Sequence, residues 1–321
     1  MKPKNCLIFG GSGQIGRFLI RKFTQNNIRV TVVTRNIHQK SYMIKTQGNA
    51  GYIDVVESNI YNEEKLRELF SKSDICVNLV GILYEEKKRN TFYNIHTLFP
   101  SILAKLAKEY QLRNFIHLSA LGINESIDSN YSKSKLEGEK NILNNFPAAT
   151  ILRPSVVYSV DDNFTTNFMR LLSVLPIMPL YYGGKTKFTP IHVSDLSNII
   201  FEIVKRKING ETIECIGPEI LTFKQILSKI LISINKKRLL FPLPLPLAKI
   251  NAKLFEMLPK PLLTMDQLKL LKYDNIISKK YKTNFDLKLD ANKKFDDEIN
   301  RYSFNWTTGG QFSKKRLDKT N

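Results

Sequence analysis

Histidine and cysteine are scarce in this chain of 321 residues, which has four of the first and three of the second. His38, His96, His117 and His192 share no metal-ligand spacing, so no metal centre is expected. Cys6, Cys76 and Cys215 sit inside apolar runs that read as strands. An odd number of such thiols argues against a disulfide framework and for a reducing compartment. Long hydrophobic runs are missing as well. Prolines break the best apolar stretches, which argues against a membrane-spanning helix. The first such stretch, residues 6–9, is too short for a signal peptide and leads straight into a glycine turn. These absences predict a cytoplasmic protein, free or peripheral at the cytoplasmic face of the inner membrane. Acidic charge is also in short supply: 29 Asp and Glu face 49 Lys and Arg, a formal net charge of +20. That balance admits nucleic acid, an anionic membrane surface or an acidic protein as partners. It follows equally from an A/T-rich gene, which enriches Lys, Asn and Ile together. The basic residues are spread along the chain with no stripe interleaved with aromatics, so nucleic acid is not expected.

What the chain does have is an ordinary globular composition, 42% hydrophobic and 24% charged, which excludes general disorder. Up to about residue 152, short β-rich runs alternate with longer amphipathic ones. Strands are expected at 5–9, 29–33, 51–55, 75–80, 114–118 and 149–152, with helices near 14–26, 62–71, 97–110 and 132–145. Alternation of this length implies a parallel sheet with right-handed crossovers, covered by helices on both faces. The fold class is therefore α/β, a Rossmann-type doubly wound parallel sheet with a smaller, mostly helical C-terminal part. Past Pro154 the alternation loosens. Helices are expected at 163–174, 194–206, 222–234 and 264–273, with a short strand at 212–216. The stretches 175–182 and 239–263 are apolar and proline-rich. Three segments follow: a dinucleotide-binding domain at 1–155, a lid or docking part at 156–275, and a basic C-terminal extension at 276–321.

The first strand runs directly into Gly10-Gly11-Ser12-Gly13-Gln14-Ile15-Gly16, and a helix follows. Gly10 allows a sharp turn, Gly13 a close backbone approach to a pyrophosphate, and Gly16 close packing of helix on sheet. The helix N-terminus then offers N–H groups and its positive dipole end to the phosphates. Ser12, Gln14 and Ile15 complete this cofactor-binding turn. The end of the second strand selects the nucleotide. Sites for NAD place a carboxylate there for the ribose hydroxyls, whereas this strand ends Val33-Thr34-Arg35. A guanidinium pairs with a 2′-phosphate that a carboxylate would repel. NADP(H) rather than NAD(H) is the expected cofactor.

Further motifs follow the glycine turn: Val77-Asn78-Leu79-Val80-Gly81, His117-Leu118-Ser119-Ala120, Tyr131-Ser132-Lys133-Ser134-Lys135 and Leu152-Arg153-Pro154-Ser155-Val156-Val157-Tyr158. Together they resemble the extended or atypical short-chain dehydrogenases/reductases, with Ser159 where those carry a glycine. Later segments are similar to the NADPH-holding accessory subunit of respiratory complex I and its bacterial relatives. They include Ile191-His192-Val193-Ser194-Asp195, the Phe-Pro-Leu-Pro-Leu-Pro stretch from Phe241, the Met265–Leu271 helix, Asp274-Asn275 and Gly309-Gly310-Gln311-Phe312. Many of those relatives carry a glycine–aspartate pair near the adenine, where this chain has Ser58-Asn59-Ile60.

The resemblance implies that Val80, Gly81, Tyr131, Lys135 and Pro154 line the cofactor along with the glycine turn and Arg35. In an active enzyme it further implies Tyr131 as proton donor or acceptor, Ser119 on the substrate carbonyl, and Lys135 on the nicotinamide ribose. Spacing by four puts Tyr131 and Lys135 on one helix face, where an ammonium is expected to lower the phenol. Two functions remain open. One is tight NADP(H) holding in a structural, assembly or redox-sensing role, with complex I or another membrane-protein assembly as partner. The other is an active NADP(H)-dependent reductase, dehydratase or isomerase on a quinone- or isoprenoid-related molecule or a nucleotide sugar. His117 and His192 read as satisfied scaffold histidines, and Glu85-Glu86-Lys87-Lys88-Arg89 as a solvated loop. The 239–263 stretch, with lysines around it, reads as a lid or as a surface resting on an anionic membrane or a membrane-protein partner.

Overall fold

A computed structural model describes residues 4–86, 90–259 and 261–310. Lys87, Lys88 and Arg89 of the acidic–basic loop, Lys260, and the end of the C-terminal extension with Gln311 and Phe312 lie outside the described residues. The chain forms two compact units. Of the described residues, the first gathers those up to Pro154 with Val193–Cys215 and Ile277–Asp290; the second gathers those of 155–192, 216–276 and 291–310.

The first unit is built on an eight-stranded sheet. Its first six strands are β1 (Asn5–Phe9), β2 (Arg29–Thr34), β3 (Ile53–Glu57), β4 (Ile75–Asn78), β5 (Asn114–Leu118) and β6 (Thr150–Pro154). The strands Thr212–Cys215 and Lys282–Thr283 extend it, giving the order Lys282–Thr283, Thr212–Cys215, β6, β5, β4, β1, β2, β3. Every pairing is parallel, with Phe9 opposite both Val33 and Asn78. Full burial of β4, β5 and β6 along their whole length is what two covered faces demand. The connecting helices are α1 (Gln14–Gln25), α2 (Ile37–Lys45), α3 (Glu63–Ser71), α4 (Phe99–Glu109) and α5 (Asn130–Asn145). Short polar side chains start three of them, Asn36 for α2, Asn62 for α3 and Ser129 for α5, each accepting a first-turn N–H. A π-helical turn, Tyr93–Leu98, leads into α4. One face of the sheet packs on Phe70, Phe99, Leu103 and Ile142; on the other side α1 packs on the helix Val193–Arg206.

Strand order reverses direction at β1. β2 and β3 lie to one side of it, β4 and β5 to the other, so the crevice at the strands' carboxyl ends opens beside Gly10 and Val80. The sheet thus sets the place of the site before any side chain is considered.

The second unit has its own core of Tyr158, Met169, Phe223, Ile226, Ile230 and Phe295. It carries helices Thr165–Val174, Phe223–Ser233, Leu245–Glu256 and Met265–Leu270, and strand pairs of two to four residues. Among the described residues no helix is long and apolar enough to cross a membrane.

Candidate NAD(P) site

The glycine turn closes the end of β1 onto the end of β4. Gly10 has a φ of +79°, and a Cβ there would stand 3.1 Å from the Leu79 carbonyl carbon and 3.2 Å from the Val80 nitrogen. Glycine alone meets both demands. Gly13 donates its N–H to the Gly10 carbonyl at 3.0 Å and occupies the N-cap of α1, where no side chain caps the helix. Gly16 permits the closest approach: a Cβ would lie 2.4 Å from Gly11 Cα and 2.6 Å from the Gly10 and Gly11 oxygens, all of them backbone. Ser12 lies in the turn, Gln14 and Ile15 open α1, and all three are half-buried. The cradle is kept free of Cβ atoms and points a helix N-terminus at its mouth, which fits a dinucleotide pyrophosphate.

Arg35 follows β2 on the exposed side, its Nη1 donating to Asn90 Oδ1 at 3.0 Å. Asn90 Nδ2 in turn donates to Glu86 Oε2 at 2.9 Å. Tyr61, just past β3, senses the same guanidinium: burial raises its phenol and the Arg35 charge opposes that rise. The Tyr61 hydroxyl is buried with no hydrogen-bond partner. Ser58 and Ile60, in place of the glycine–aspartate pair, are buried, and Ser58 donates its N–H to the Thr34 carbonyl at 3.0 Å.

At the other end, Val80 donates its N–H to Asn78 Oδ1 at 3.1 Å, so the Asn78 amide turns its nitrogen to His117 Nδ1, also at 3.1 Å. His117 therefore carries its proton on Nε2. That atom is buried and has no partner, so His117 is only half-satisfied as a scaffold group. Ser119, two residues along and on the same side of the chain, likewise buries an Oγ without a partner, while its N–H reaches the Leu152 carbonyl at 2.7 Å. A buried hydroxyl left unmatched by the protein fits the role of meeting a bound carbonyl.

Lys135 is 3% exposed and donates to the Leu118 carbonyl at 3.0 Å. Its Nζ stands 3.3 Å from where a Gly81 Cβ would be, so Gly81 keeps the ammonium's approach to the cleft open. Burial pulls Lys135 down to about 8, against the opposing pull of Glu139 one turn along α5. Tyr131 does not behave as the four-residue spacing suggests: burial raises its phenol above the ordinary value. Pro154 ends β6, buried, with its carbonyl accepting from Leu121 N at 2.9 Å.

His96 was not singled out by the sequence, yet it ties this cluster together. Ile82 N donates to its Nε2 at 3.1 Å, which leaves the ring proton on Nδ1 for Ser134 Oγ at 2.9 Å. The ring stacks on Phe92 and meets Tyr131 edge-on, with centroids 5.4 and 5.3 Å away. Burial, then the charge of Lys135, push His96 down to about 2, so it stays neutral. One neutral ring thus links the loop after β4 to the helix bearing Tyr131 and Lys135. Behind that helix, Arg153 on β6 makes a buried two-pronged pair with Glu139, Nε to Oε1 at 2.9 Å and Nη2 to Oε2 at 2.5 Å. It also lies over the Tyr281 ring at 4.3 Å.

The chain is similar to known proteins in sequence and in fold. The NAD dependent epimerase/dehydratase family matches residues 6–215. The mitochondrial NADH dehydrogenase [ubiquinone] 1 alpha subcomplex subunit 9 of Arabidopsis thaliana is 27% identical over 283 residues, covering 84% of this chain and 70% of its own. The NADH-ubiquinone oxidoreductase 40 kDa subunit of Neurospora crassa is 26% identical over 285 residues, covering 88% and 74%. Among solved structures, the triphenylmethane reductase of Citrobacter sp., complexed with NADP(H), superposes with a TM-score of 0.70 at 15% identity, over 93% of this chain and 99% of that one. The switch-point cradle and a family match over most of the first unit agree: the chain belongs to the NAD-dependent epimerase/dehydratase family of NAD(P)-binding Rossmann proteins.

Proposed function

We propose that the first unit holds NADP(H) tightly and that the chain serves as an accessory subunit of complex I, or of a similar assembly, at the cytoplasmic face of the membrane. Its role there is structural, assembly-related or redox-sensing. The observation that carries the reading is the Cβ-free cradle at Gly10, Gly13 and Gly16 paired with Arg35 in the position where a carboxylate would select NAD. The pyrophosphate would lie on the α1 N-terminus and the 2′-phosphate on Arg35, with the Tyr61 hydroxyl beside it. Lys135 and Gly81 would border the nicotinamide ribose. The similarity to complex I subunits from a plant and a fungus over most of the chain supports the partner. The bound group would supply hydride chemistry. Tyr131 is held protonated by burial, and Lys135 is engaged by the Leu118 carbonyl.

The orphaned Ser119 hydroxyl favours a second reading, a reductase or isomerase in which that hydroxyl holds a substrate carbonyl and Tyr131 moves the proton. Tyr131→Phe separates the two. A holder keeps its nucleotide and its association with the respiratory assembly after this change. If the variant instead abolishes a measured cofactor-dependent turnover with nucleotide binding intact, the enzyme reading replaces the first.

A further inference from the structure

The second unit carries a surface that inverts the usual order of a helix. Leu245–Glu256 follows Pro244, has Pro246 in its first turn, and buries its two small residues, Ala248 and Ala252, four apart. These sit on a cluster of Tyr181, Leu263 and Leu268. The large apolar residues point the other way. Leu247 is 53% exposed, Ile250 57%, Leu254 61% and Met257 81%. At spacings of three, four and three they form one stripe along the helix. The strand that feeds the helix continues the pattern: Leu239 and Phe241 are exposed on one face, and Ile177, opposite Leu239 in the parallel pair, is exposed beside them. Nine of the 21 large apolar side chains exposed among the described residues lie between 239 and 262. A concentration of this kind marks a contact surface rather than scattered exposure.

The charge around the stripe identifies what it contacts. From Lys236 to Glu256 the sequence holds five basic residues and one acidic one, Glu256 at the helix end, whose carboxylate accepts from the Met265 N–H at 2.9 Å. Lys249 and Lys253 are exposed on the same helix, one turn apart and to one side of the apolar stripe. Their stems reach along apolar surface while the ammonium groups reach outward. A symmetric contact with a second copy would bring these lysines against their counterparts, in a chain already at +20. A layer with an apolar interior and anionic headgroups satisfies stripe and lysines together.

We infer that the helix Leu245–Glu256 and the adjoining edge Leu239–Pro242 lie in the headgroup region of an anionic bilayer, with the Leu247, Ile250, Leu254 and Met257 stripe facing inward and Lys249 and Lys253 on the phosphates. This rests on the membrane-face reading above and supplies its contact surface.

The test is flotation of the purified full chain with vesicles of phosphatidylcholine alone and of equal parts phosphatidylcholine and phosphatidylglycerol. Binding to the anionic vesicles is expected, weakened by salt. Lys249→Gln with Lys253→Gln should reduce it about 25-fold, about fivefold for each lysine. Leu247→Ser with Leu254→Ser should reduce it about tenfold or more per residue. Both pairs are exposed, so melting temperatures should hold. Tyr42→Ser, at a still more exposed side chain in the first unit, should leave binding unchanged. Equal binding to neutral vesicles, or anionic binding that ignores both double variants, overturns the inference. So does failure to float combined with concentration-dependent self-association that Leu247→Ser with Leu254→Ser abolishes, which would assign the stripe to a second copy. Nucleotide content is read on the same samples: lost flotation with retained NADPH removes only this surface, and the reverse removes only the holding role.

Discussion

Lys135 makes the site visible in the pH dependence of folding. Its ammonium is buried against the Leu118 carbonyl, and burial lowers it from the ordinary lysine value of 10.5 to about 8. In the unfolded chain the same group keeps its proton up to about 10.5. Between those values the unfolded state binds more protons than the folded one, so stability rises with pH. The gap is worth about 3 kcal/mol, with no discount for solvent because the side chain is almost wholly buried. Tyr131 acts in the opposite sense at the upper end. Its folded phenol is raised above 10.0, so the unfolded tyrosine ionises first and stability is lost as pH climbs beyond that value. Cys6, Cys76 and Cys215 oppose Lys135 from lower pH: burial raises their thiols above the ordinary 9.0, so the unfolded thiols ionise first and stability is lost as pH climbs through that value. The Lys135 contribution is therefore the difference between wild type and a variant without the ammonium, about 2 kcal/mol between pH 8 and 10. Urea unfolding of nucleotide-free protein at steps across this window, for wild type and Lys135→Met, measures it. The thiols and Tyr131 are common to both, so wild type should gain on the variant by about 2 kcal/mol between pH 8 and 10, whatever the slope of either curve. Parallel curves would refute the assignment of a buried, costly ammonium.

Three other outcomes follow from the geometry. Gly16→Ala places a methyl group against backbone atoms that cannot rotate away, and should cost about 1 to 3 kcal/mol of stability and abolish nucleotide retention on gel filtration. Arg35→Ala should weaken NADP(H) about ten- to hundredfold by titration calorimetry while leaving NAD(H) nearly unchanged, since one charge-assisted contact is lost. Glu139→Ala leaves the Arg153 guanidinium buried without its carboxylate and should cost about 3 to 5 kcal/mol in denaturant unfolding.

The first unit was legible because its physics is repetitive. Parallel strands buried on both faces read as unbroken apolar runs, and β1 and β5 fall where the sequence puts them. The helix α2 was not legible, because only Ile44 of its nine residues is buried and no apolar period survives. The strands Val157–Tyr158, Lys187–Phe188 and Ile191–His192 are two residues long, too short to show alternation. The proline-rich run from residue 239 hides a helix. Its prolines at 244 and 246 start that helix rather than break it, since the first turn tolerates a missing N–H. At the site, the glycines announce themselves because each answers a backbone demand. Asn90 beside Arg35, Tyr61 near the same charge, and His96 bridging Ile82 to Ser134 carry no such local signal. Their contacts span 55, 14 and 38 residues in the Arg35–Asn90, Ile82–His96 and His96–Ser134 bonds, and only the closed sheet brings them together.

The most direct measurement of the central claim is the nucleotide itself. Protein purified under gentle conditions, dialysed extensively and then denatured should release NADPH or NADP in near-equimolar amount. Released NAD(H) would contradict the role given to Arg35, and a chain that emerges empty and exchanges nucleotide freely would contradict tight holding.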